Sequence, residues 1–239
     1  ALTLTDTELW GGNFISQVFW NRSRDTFGGE IAPVATFQDA LLAPVGTLFD
    51  QSQNRSRKHG GKISYERAVP GFEALTAIVG FDALWDTTEQ RLIATSRTWV
   101  PPTDFRSYAP FGQLNLALFN KMVRLSAGAR HEDVRITIDD YTTLATSNRV
   151  RVSGGSPRFS DTLINGGVIV EPVPGIRAYA SYAEGYTAPD VGRITRAVSV
   201  PGVDIDTYLD IRPIVSNNRE LGIEVKRGPL DASATYFWS

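Results

Sequence analysis

The stretch that decides the fold runs from Arg158 to Asp190 and reads RFSDTLINGGVIVEPVPGIRAYASYAEGYTAPD. It predicts two long strands joined by a tight turn at Pro172-Val173-Pro174-Gly175, because proline presets φ and glycine supplies the positive φ of a sharp reversal. Apolar and polar residues alternate on both sides of the turn. Each arm exceeds ten residues, which is about twice the usual strand length of a soluble protein. These features indicate a transmembrane β-barrel rather than a soluble sandwich.

The same unit of a strand, a tight turn and a returning strand occurs five times along the chain. The turns follow one another at intervals of about 50 to 58 residues, which is a period of architecture rather than of sequence identity. They are predicted at Gly12, Pro70, Asn120, Pro174 and Gly228. Longer segments without alternation are predicted as loops, at about residues 23–53, 86–104, 142–157 and 191–217. Tight turns that alternate with long loops match outer-membrane barrels.

The predicted fold class is therefore all-β, an antiparallel transmembrane β-barrel segment of about ten long strands. A plugged transporter barrel of about 22 strands would need about 600 residues at this period, so ten strands form an incomplete barrel wall. The chain starts at Ala1 without a signal peptide and stops at Ser239 inside a predicted strand. Residues 1–239 are thus expected to be part of one barrel domain, a fragment that lacks the plug domain and the signal peptide.

The composition argues against several classes of function. The 24 basic and 26 acidic residues are nearly balanced, which argues against nucleic acid as a partner. The chain has no cysteine, so a disulfide frame and a thiolate metal site are both impossible. No apolar run approaches the ~18 residues of a spanning helix, but barrel strands span a membrane with apolar residues at alternate positions only.

Alternation within the hairpins also predicts which side chains face lipid. Around the turn at Asn120, leucines and valines share one parity, and Gln113, Asn115 and Arg124 share the other. The side chains predicted to face lipid are Leu114, Leu116, Leu118, Val123, Leu125, Leu221, Ile223 and Val225. The charged side chains predicted to face inward, as a wall towards a plug or water rather than a substrate site, are Lys62, Glu66, Asp82, Glu220 and Glu224.

Three segments resemble the barrel of TonB-dependent outer-membrane receptors. YASYAEGYTAPD at 179–190 is similar to a family strand that ends "YAEGF-x-APD" and enters a long outer loop, with Tyr186 in place of the commoner Phe. NNRELG at 217–222 resembles the next landmark, "N-x-E-x-G", and APFGQ at 109–113 followed by VRLSAGAR at 123–130 is similar to a third.

The resemblance implies a barrel of about 22 strands with an N-terminal plug, located in the outer membrane of a Gram-negative bacterium. It implies import of a ferric siderophore or a similar large, scarce solute, with energy coupled from the inner membrane. The implied partners are this ligand, the TonB complex acting through the plug, and the surrounding outer-membrane lipid and lipopolysaccharide.

The last long loop carries the candidate ligand-binding residues, which are Tyr186, Arg193, Arg196 and Arg212. Ferric siderophores are frequently anionic, and a guanidinium recognises oxygen anions through a planar fork of donors. Tyr186 at the strand mouth would add an aromatic surface. A loop of about thirty residues is too long for a mere connector. Bonding of each arginine to neighbouring loops or to lipopolysaccharide is the competing interpretation.

Covalent chemistry is not predicted, so the protein is expected not to be an enzyme. His59 and His131 have no HExxH or GxSxG context and are interpreted as solvated or interfacial residues near strand ends. Asp139-Asp140 and Asp204-x-Asp206 lack the spacing of an EF-hand, and neither a metal site nor a cofactor is predicted. The alternatives are a passive porin, a barrel enzyme, and a soluble β-propeller, whose blades repeat near 50 residues but have four short strands.

Overall fold

A computed structural model describes residues 1–28, 32–188, 190–208 and 213–239. Its strands are β1 Leu2–Asp6, β2 Asn13–Phe27, β3 Ser52–Val69, β4 Phe72–Leu92, β5 Thr98–Leu118, β6 Val123–Ile138, β7 Tyr141–Thr142, β8 Arg151–Val152, β9 Arg158–Val173, β10 Ile176–Thr187, β11 Ile214–Arg227 and β12 Leu230–Trp238. Its helices are α1 Val191–Ala197 and α2 Ile205–Tyr208, with 3-10 turns at Leu9–Gly11, Ala35–Phe37 and Ala145–Ser147. In these residues no helix is long and apolar enough to cross a membrane.

All strands except β7 and β8 form one sheet of 10 strands in the order β1-β2-β3-β4-β5-β6-β9-β10-β11-β12. Each strand pairs antiparallel with its neighbours in this order, and β7 and β8 form a small separate pair within a loop. The sheet is open, with β1 and β12 at its edges. The predicted fold class, an all-antiparallel segment of ten strands, is confirmed.

The tight turns lie where the sequence predicts them, between β1 and β2, β3 and β4, β5 and β6, β9 and β10, and β11 and β12. In the turn at Pro174-Gly175, Gly175 has φ of 84°, a conformation that L side chains rarely adopt. A Cβ at Gly175 would also lie 2.1 Å from the carbonyl oxygen of Lys226. The turn therefore needs glycine both for its backbone conformation and for the close approach of β11.

The strands are longer than the alternation predicted. β4 and β5 each have 21 residues and β3 has 18, whereas a tilted strand crosses a bilayer with about 9–11 residues. The prediction of a loop at 86–104 is wrong, since only residues 93–97 connect β4 and β5. Beyond the bilayer both faces of a strand meet water or loops, so the backbone ladder continues where the apolar alternation has ended.

The sheet is curved, which distinguishes an inner face from an outer face. Side chains from β1 to β9, including Thr3, Lys62 and Asn165, line one cavity of about 390 Å³, although these strands are several spacings of ~4.8 Å apart along the sheet. The sheet therefore curves around this cavity, and we call this side the inner face. The residues predicted to face lipid lie on the opposite, outer face, where Leu116 pairs directly with Leu125.

The inner face becomes apolar towards the long loops. On β6, the polar residues Arg130 and Glu132 are followed on the same face by Val134, Ile136 and Ile138, which are almost fully buried. Loop residues cover them and form an apolar loop core with Tyr141, Val150, Val152, Val191, Val198 and Ile205. The loops after β6 and β10 thus fold inward over the sheet. The prediction of an irregular loop at 191–217 needs correction, because the segment contains α1 and α2 and β11 already begins at Ile214.

Candidate functional site

Helix α1, at the start of the last long loop, is held against the inner face of the sheet. Asp190 caps it, because the Asp190 carboxylate accepts a hydrogen bond from the Arg193 N–H at 3.0 Å. Val191 and Thr195 are buried, and the Tyr141 hydroxyl donates to the Thr195 carbonyl at 2.7 Å. The buried side of α1 packs against β5, which fixes the direction of its remaining side chains.

A cavity of about 520 Å³ lies between α1 and the loop ends of β2 to β6. Its strand wall is polar and includes the inner-face residues Asp25, Asn54 and Asp86. Arg193 and Arg196 line its helical wall. The volume lies within the ~300–1,000 Å³ range of small-molecule sites. Charged groups far apart in the sequence are thus brought together at one end of the sheet.

Two of the arginines predicted to bind ligand share this cavity. Arg193 and Arg196 are three residues apart on a helix, which puts them on the same side. The Arg196 guanidinium lies 4.9 Å from the centroid of the Trp99 ring, a cation–π contact that restrains it. Arg193 is exposed, and within the described ranges its guanidinium forms no hydrogen bond or ion pair. Arg193 is therefore the cation available to an incoming anion.

Two carboxylates that line the cavity with Arg193 differ in their hydrogen-bond and ion-pair partners. Asp86 accepts a hydrogen bond from the Ser56 hydroxyl at 2.9 Å and forms an ion pair with Lys58 at 3.2 Å. Asp25, on the strand wall, is exposed and has no ion pair in the part of the chain that the structure describes. An anion in the cavity is thus attracted by Arg193 and repelled by Asp25.

Tyr186 has a different environment from the two arginines. Its ring packs against the apolar loop core, and its hydroxyl is buried with no hydrogen-bond partner among the described residues. Near this point β10 separates from β9, since direct pairing ends at Ala183 with Asn165. The Glu184 carboxylate instead accepts a hydrogen bond from the Ile164 N–H at 2.9 Å. The fourth predicted ligand-binding residue, Arg212, lies outside the described residues.

Two long loops and the short connection between β4 and β5 are tied together by four charged residues, which we call the loop clasp: Asp39, Asp50, Arg97 and Arg149. Asp39 is 6% exposed and forms ion pairs with Arg149 and, at 3.6 Å, with Arg97. The hydrogen bond from Arg149 holds the pKa of Asp39 below its ordinary value of 3.8. Asp50 is 1% exposed and forms an ion pair with Arg97 at 3.4 Å. The clasp joins the loops at 28–51, 93–97 and 139–157.

Sequence reasoning did not identify the loop clasp or the strand wall of the cavity. Asp39 and Arg149 are 110 residues apart, and no local pattern relates them. The cap at Asp190 had a detectable indication, because an aspartate just before a helical segment is a typical N-cap. Trp99 lies in the segment 86–104 that the sequence predicts as a loop, and no local pattern indicates its cation–π contact with Arg196. In the described ranges no group of three or more His, Asp or Glu residues forms a metal-binding cluster.

The chain matches one family model over its whole length. The model is described as "TonB dependent receptor-like, beta-barrel" and matches residues 1–239. This match agrees with the open antiparallel sheet, the tight turns at one end and the long loops at the other.

Three solved structures with a similar fold are transporters or receptors. The copper transporter OprC superposes with a TM-score of 0.74 at 14% identity, over 98% of this chain and 37% of OprC. The FrpB iron transporter of Neisseria meningitidis gives 0.68 at 13% identity, over 98% and 35%. The hemophore receptor HasR of Serratia marcescens, solved with its hemophore HasA and heme, gives 0.63 at 14% identity, over 95% and 36%. The chain thus spans just over a third of each, and identities this low establish the fold alone.

Proposed function

Because the chain belongs to the TonB-dependent receptor family, we propose that it is part of the barrel of a receptor that binds and imports a ferric siderophore. Members of the family are outer-membrane β-barrel proteins of Gram-negative bacteria. The long loops then face outside and the tight turns face the periplasm. The proposed reaction is transport without covalent chemistry.

The observation that carries the proposal is the cavity between α1 and the strand ends. It opens at the loop end of the barrel wall, where a ligand arrives from outside. Among the residues that the structure describes, the Arg193 guanidinium has no hydrogen-bond or ion-pair partner, and Arg196 is restrained by Trp99. A guanidinium recognises carboxylate, catecholate or hydroxamate oxygens through its fork of donors. An iron chelate with a negative charge therefore matches the chemistry of this site.

The three similar structures are a copper transporter, an iron transporter and a hemophore receptor in complex with its hemophore and heme. The choice of an anionic iron chelate for this chain rests on Arg193 and Arg196 and not on those relatives.

The proposed import depends on energy from the inner membrane, delivered by the TonB complex. The TonB complex would act on a plug domain elsewhere in the same receptor, and lipid and lipopolysaccharide would surround the outer face. A passive porin, the rival within membrane barrels, would release its solute down a gradient without this coupling. Collapse of the proton gradient should therefore stop uptake of the chelate while leaving binding to the cell surface unchanged.

The test uses the complete receptor on cells that lack other iron receptors. Binding of iron-55 chelates of the catecholate, hydroxamate and citrate types is measured for the wild type and for the double variant Arg193→Ala/Arg196→Ala. A charged hydrogen bond contributes about 1.5–3 kcal/mol when it is shielded from water, but Arg193 is exposed, which brings its contribution towards the roughly 0.2–1 kcal/mol of a surface pair. Removal of both arginines should therefore cost about 1.4–2.7 kcal/mol in total and weaken binding of one chelate by roughly 10- to 100-fold. The loss should shrink at high salt, because exposed charges are screened.

Two further variants make the test specific. Arg151→Ala removes an exposed loop arginine that pairs with Asp140 and should leave binding unchanged. Asp25→Asn removes the repelling carboxylate of the strand wall and should strengthen binding. If the double variant binds every chelate as the wild type does, this cavity is not the ligand site, whatever the receptor transports.

A further inference from the structure

The strand wall of the cavity beside α1 carries a row of hydroxyl groups. Ser23 of β2 lies directly opposite Ser56 of β3. Ser56 in turn lies opposite Thr88 of β4, which lies opposite Thr103 of β5. All four residues line the cavity. Because neighbouring strands are about 4.7–4.9 Å apart, the row presents hydroxyl groups at regular intervals across the wall.

A second row of polar side chains lies two residues nearer the loops. Asp25 of β2 is directly opposite Asn54 of β3, and Asn54 is directly opposite Gln90 of β4. These three residues also line the cavity. A carboxylate and two amide groups thus stand beside the hydroxyl row on the same three strands.

A bulge in β5 lies next to the second row. From Thr88 to Gln90 β4 advances by two residues, whereas β5 advances by three between their partners Thr103 and Val100. The bulge falls at Pro101-Pro102, where the backbone has no N–H groups for the ladder. Bulges re-aim neighbouring side chains and are frequent beside active sites. The local backbone therefore supports a binding role for this part of the wall.

Five side chains of the two rows have no partner within the protein. In residues 1–28, 32–188, 190–208 and 213–239 none of them forms a hydrogen bond or an ion pair. We call them the polar array, and they are Ser23, Asp25, Asn54, Thr88 and Gln90. The amide oxygens of Asn54 and Gln90 are in addition buried, and a buried acceptor without a donor is destabilising. The array therefore lacks hydrogen-bond partners that a ligand can supply.

The groups of the array indicate what such a ligand must contain. Serine and threonine hydroxyls and side-chain amides both donate and accept hydrogen bonds, whereas an ionised carboxylate only accepts. A hydroxyl group can satisfy each of them, because it also donates and accepts. A series of hydroxyl groups, as in a sugar or another polyol, therefore matches the whole array. A ligand that carries only anionic groups would match the arginines of the opposite wall and leave the array unsatisfied.

Apolar side chains beside the array fit the same ligand. Val100, Phe105 and Ile136 line the cavity next to the polar rows. A sugar ring has C–H groups on its faces and hydroxyl groups around its edge, so it can pack on apolar side chains while its hydroxyl groups form hydrogen bonds. Small-molecule sites commonly combine an apolar lining with a few placed polar groups.

We propose that the polar array binds a polyhydroxyl part of the imported solute, a sugar or polyol, while Arg193 binds its anionic part. The inference rests on the proposed function, because it names the ligand class of the same cavity, and the solute is then a glycosylated anionic iron chelate. Asp25→Asn keeps an acceptor oxygen at this position and adds a donor. The stronger binding expected of that variant is therefore compatible with a sugar on the array.

The test measures the affinity of the complete receptor in detergent by isothermal titration calorimetry. The two probes are a ferric tris-catecholate chelate and the same chelate with glucosyl groups on its rings. Two neutral hydrogen bonds to the amides should make the wild type bind the glucosylated chelate roughly 5- to 100-fold more tightly. Asn54→Leu/Gln90→Met removes both amides at similar volume. This variant should lose the preference and bind the sugar-free chelate as the wild type does.

A matched control makes the same replacements elsewhere on the inner face. Gln113→Met/Asn115→Leu removes an amide pair on β5 that is joined by a hydrogen bond at 2.8 Å and lies outside this cavity, and the preference should remain. Thr88→Val, at an exposed hydroxyl, should reduce the preference in part, and it replaces the double variant if that variant does not fold. Heat-modifiable mobility of the purified barrel checks the folding of each variant.

The outcomes separate this inference from the proposed function. Equal affinity of the wild type for the two chelates would overturn the inference, as would a preference that survives in the folded array variant. Chelate binding that is insensitive to Arg193→Ala/Arg196→Ala would contradict the proposed anion site alone. If neither chelate binds, the proposed function fails, and neutral maltotriose, observed by saturation-transfer NMR, then tests the array. Maltotriose binding that the array variant abolishes supports the inference, and absence of binding to the wild type overturns it.

Discussion

Substitution of one buried carboxylate should separate two loops that it holds together. In the loop clasp, Asp39 accepts hydrogen bonds from the Arg149 guanidinium and from the Leu41 N–H at 3.0 Å, and it lies 3.6 Å from Arg97. Asp39→Asn keeps the shape of the side chain but removes the charge from both ion pairs. We expect the loops at 28–51 and 139–157 to separate more often, because Arg149 then has no anionic partner in the clasp.

The expected change in the free energy of loop opening depends on how deeply the arginine partners of Asp39 are buried. A hydrogen bond to a charged group contributes about 1.5–3 kcal/mol, but the Arg149 side chain is 40% exposed, which reduces the value towards that of a surface pair. Arg97 retains Asp50 as a second partner. The free energy of loop opening should therefore fall by about 1–3 kcal/mol, which is roughly a 5- to 150-fold increase in the open population.

Hydrogen exchange of the complete receptor in detergent measures this population directly. The reporters are the amides of Leu42 and Ala43, which bond to the Asp39 carbonyl at 2.9 and 3.1 Å. The matched control is Asp140→Asn, at a carboxylate 56% exposed that pairs with Arg151, and its exchange should equal that of the wild type. Equal exchange in the two variants would refute the assignment of the clasp.

The clasp also predicts a pH dependence of loop closure. The folded-state pKa of Asp39 is lowered below 3.8, first of all by the hydrogen bond from Arg149. A lowered pKa means that the stabilisation is fully present above the unfolded value and is lost as the pH falls through the folded value. The wild-type loops should therefore stay closed at pH 5 to 7 and open only below 3.8, and Asp39→Asn should lack this step after correction for intrinsic exchange rates.

Two further predictions test the faces of the sheet. Leu114 lies on the outer face near the bilayer midplane, four residues before the end of β5 at Leu118. Leu114→Arg should therefore lower the free energy of unfolding by about 2–4 kcal/mol, measured by urea unfolding from lipid vesicles, whereas Asn115→Arg on the inner face should cost little. Equal costs for the two variants would show that the assigned register is wrong by one residue. On the inner face, a Cβ at Gly80 would lie 2.3 Å from the ring of Phe111, so Gly80→Ala should destabilise the barrel by about 1–3 kcal/mol. Phe111→Leu in the same chain should recover part of the loss, and an unchanged urea midpoint for Gly80→Ala would contradict the close packing.

The sequence by itself determined the sheet, its turns and its two faces. Alternation with a period of two assigns a side chain to a face once a strand exists, and turns such as Pro174-Gly175 depend on the local preferences of proline and glycine. Both properties are short in range, so one sequence suffices to read them. The same locality explains the error at 86–104, where the strands leave the lipid and their apolar alternation ends while the backbone pairing continues.

Only the tertiary structure decided where the loops go and what they enclose. The sequence placed Arg193 and Arg196 in one loop, but the inward position of α1 depends on burial of Val191 and Thr195 against distant strands. Likewise, the pairing of Asp39 with Arg149 joins two loops across 110 residues of sequence. These contacts are formed by chain closure over long separations, and no local residue pattern specifies which of the possible long-range partners will meet.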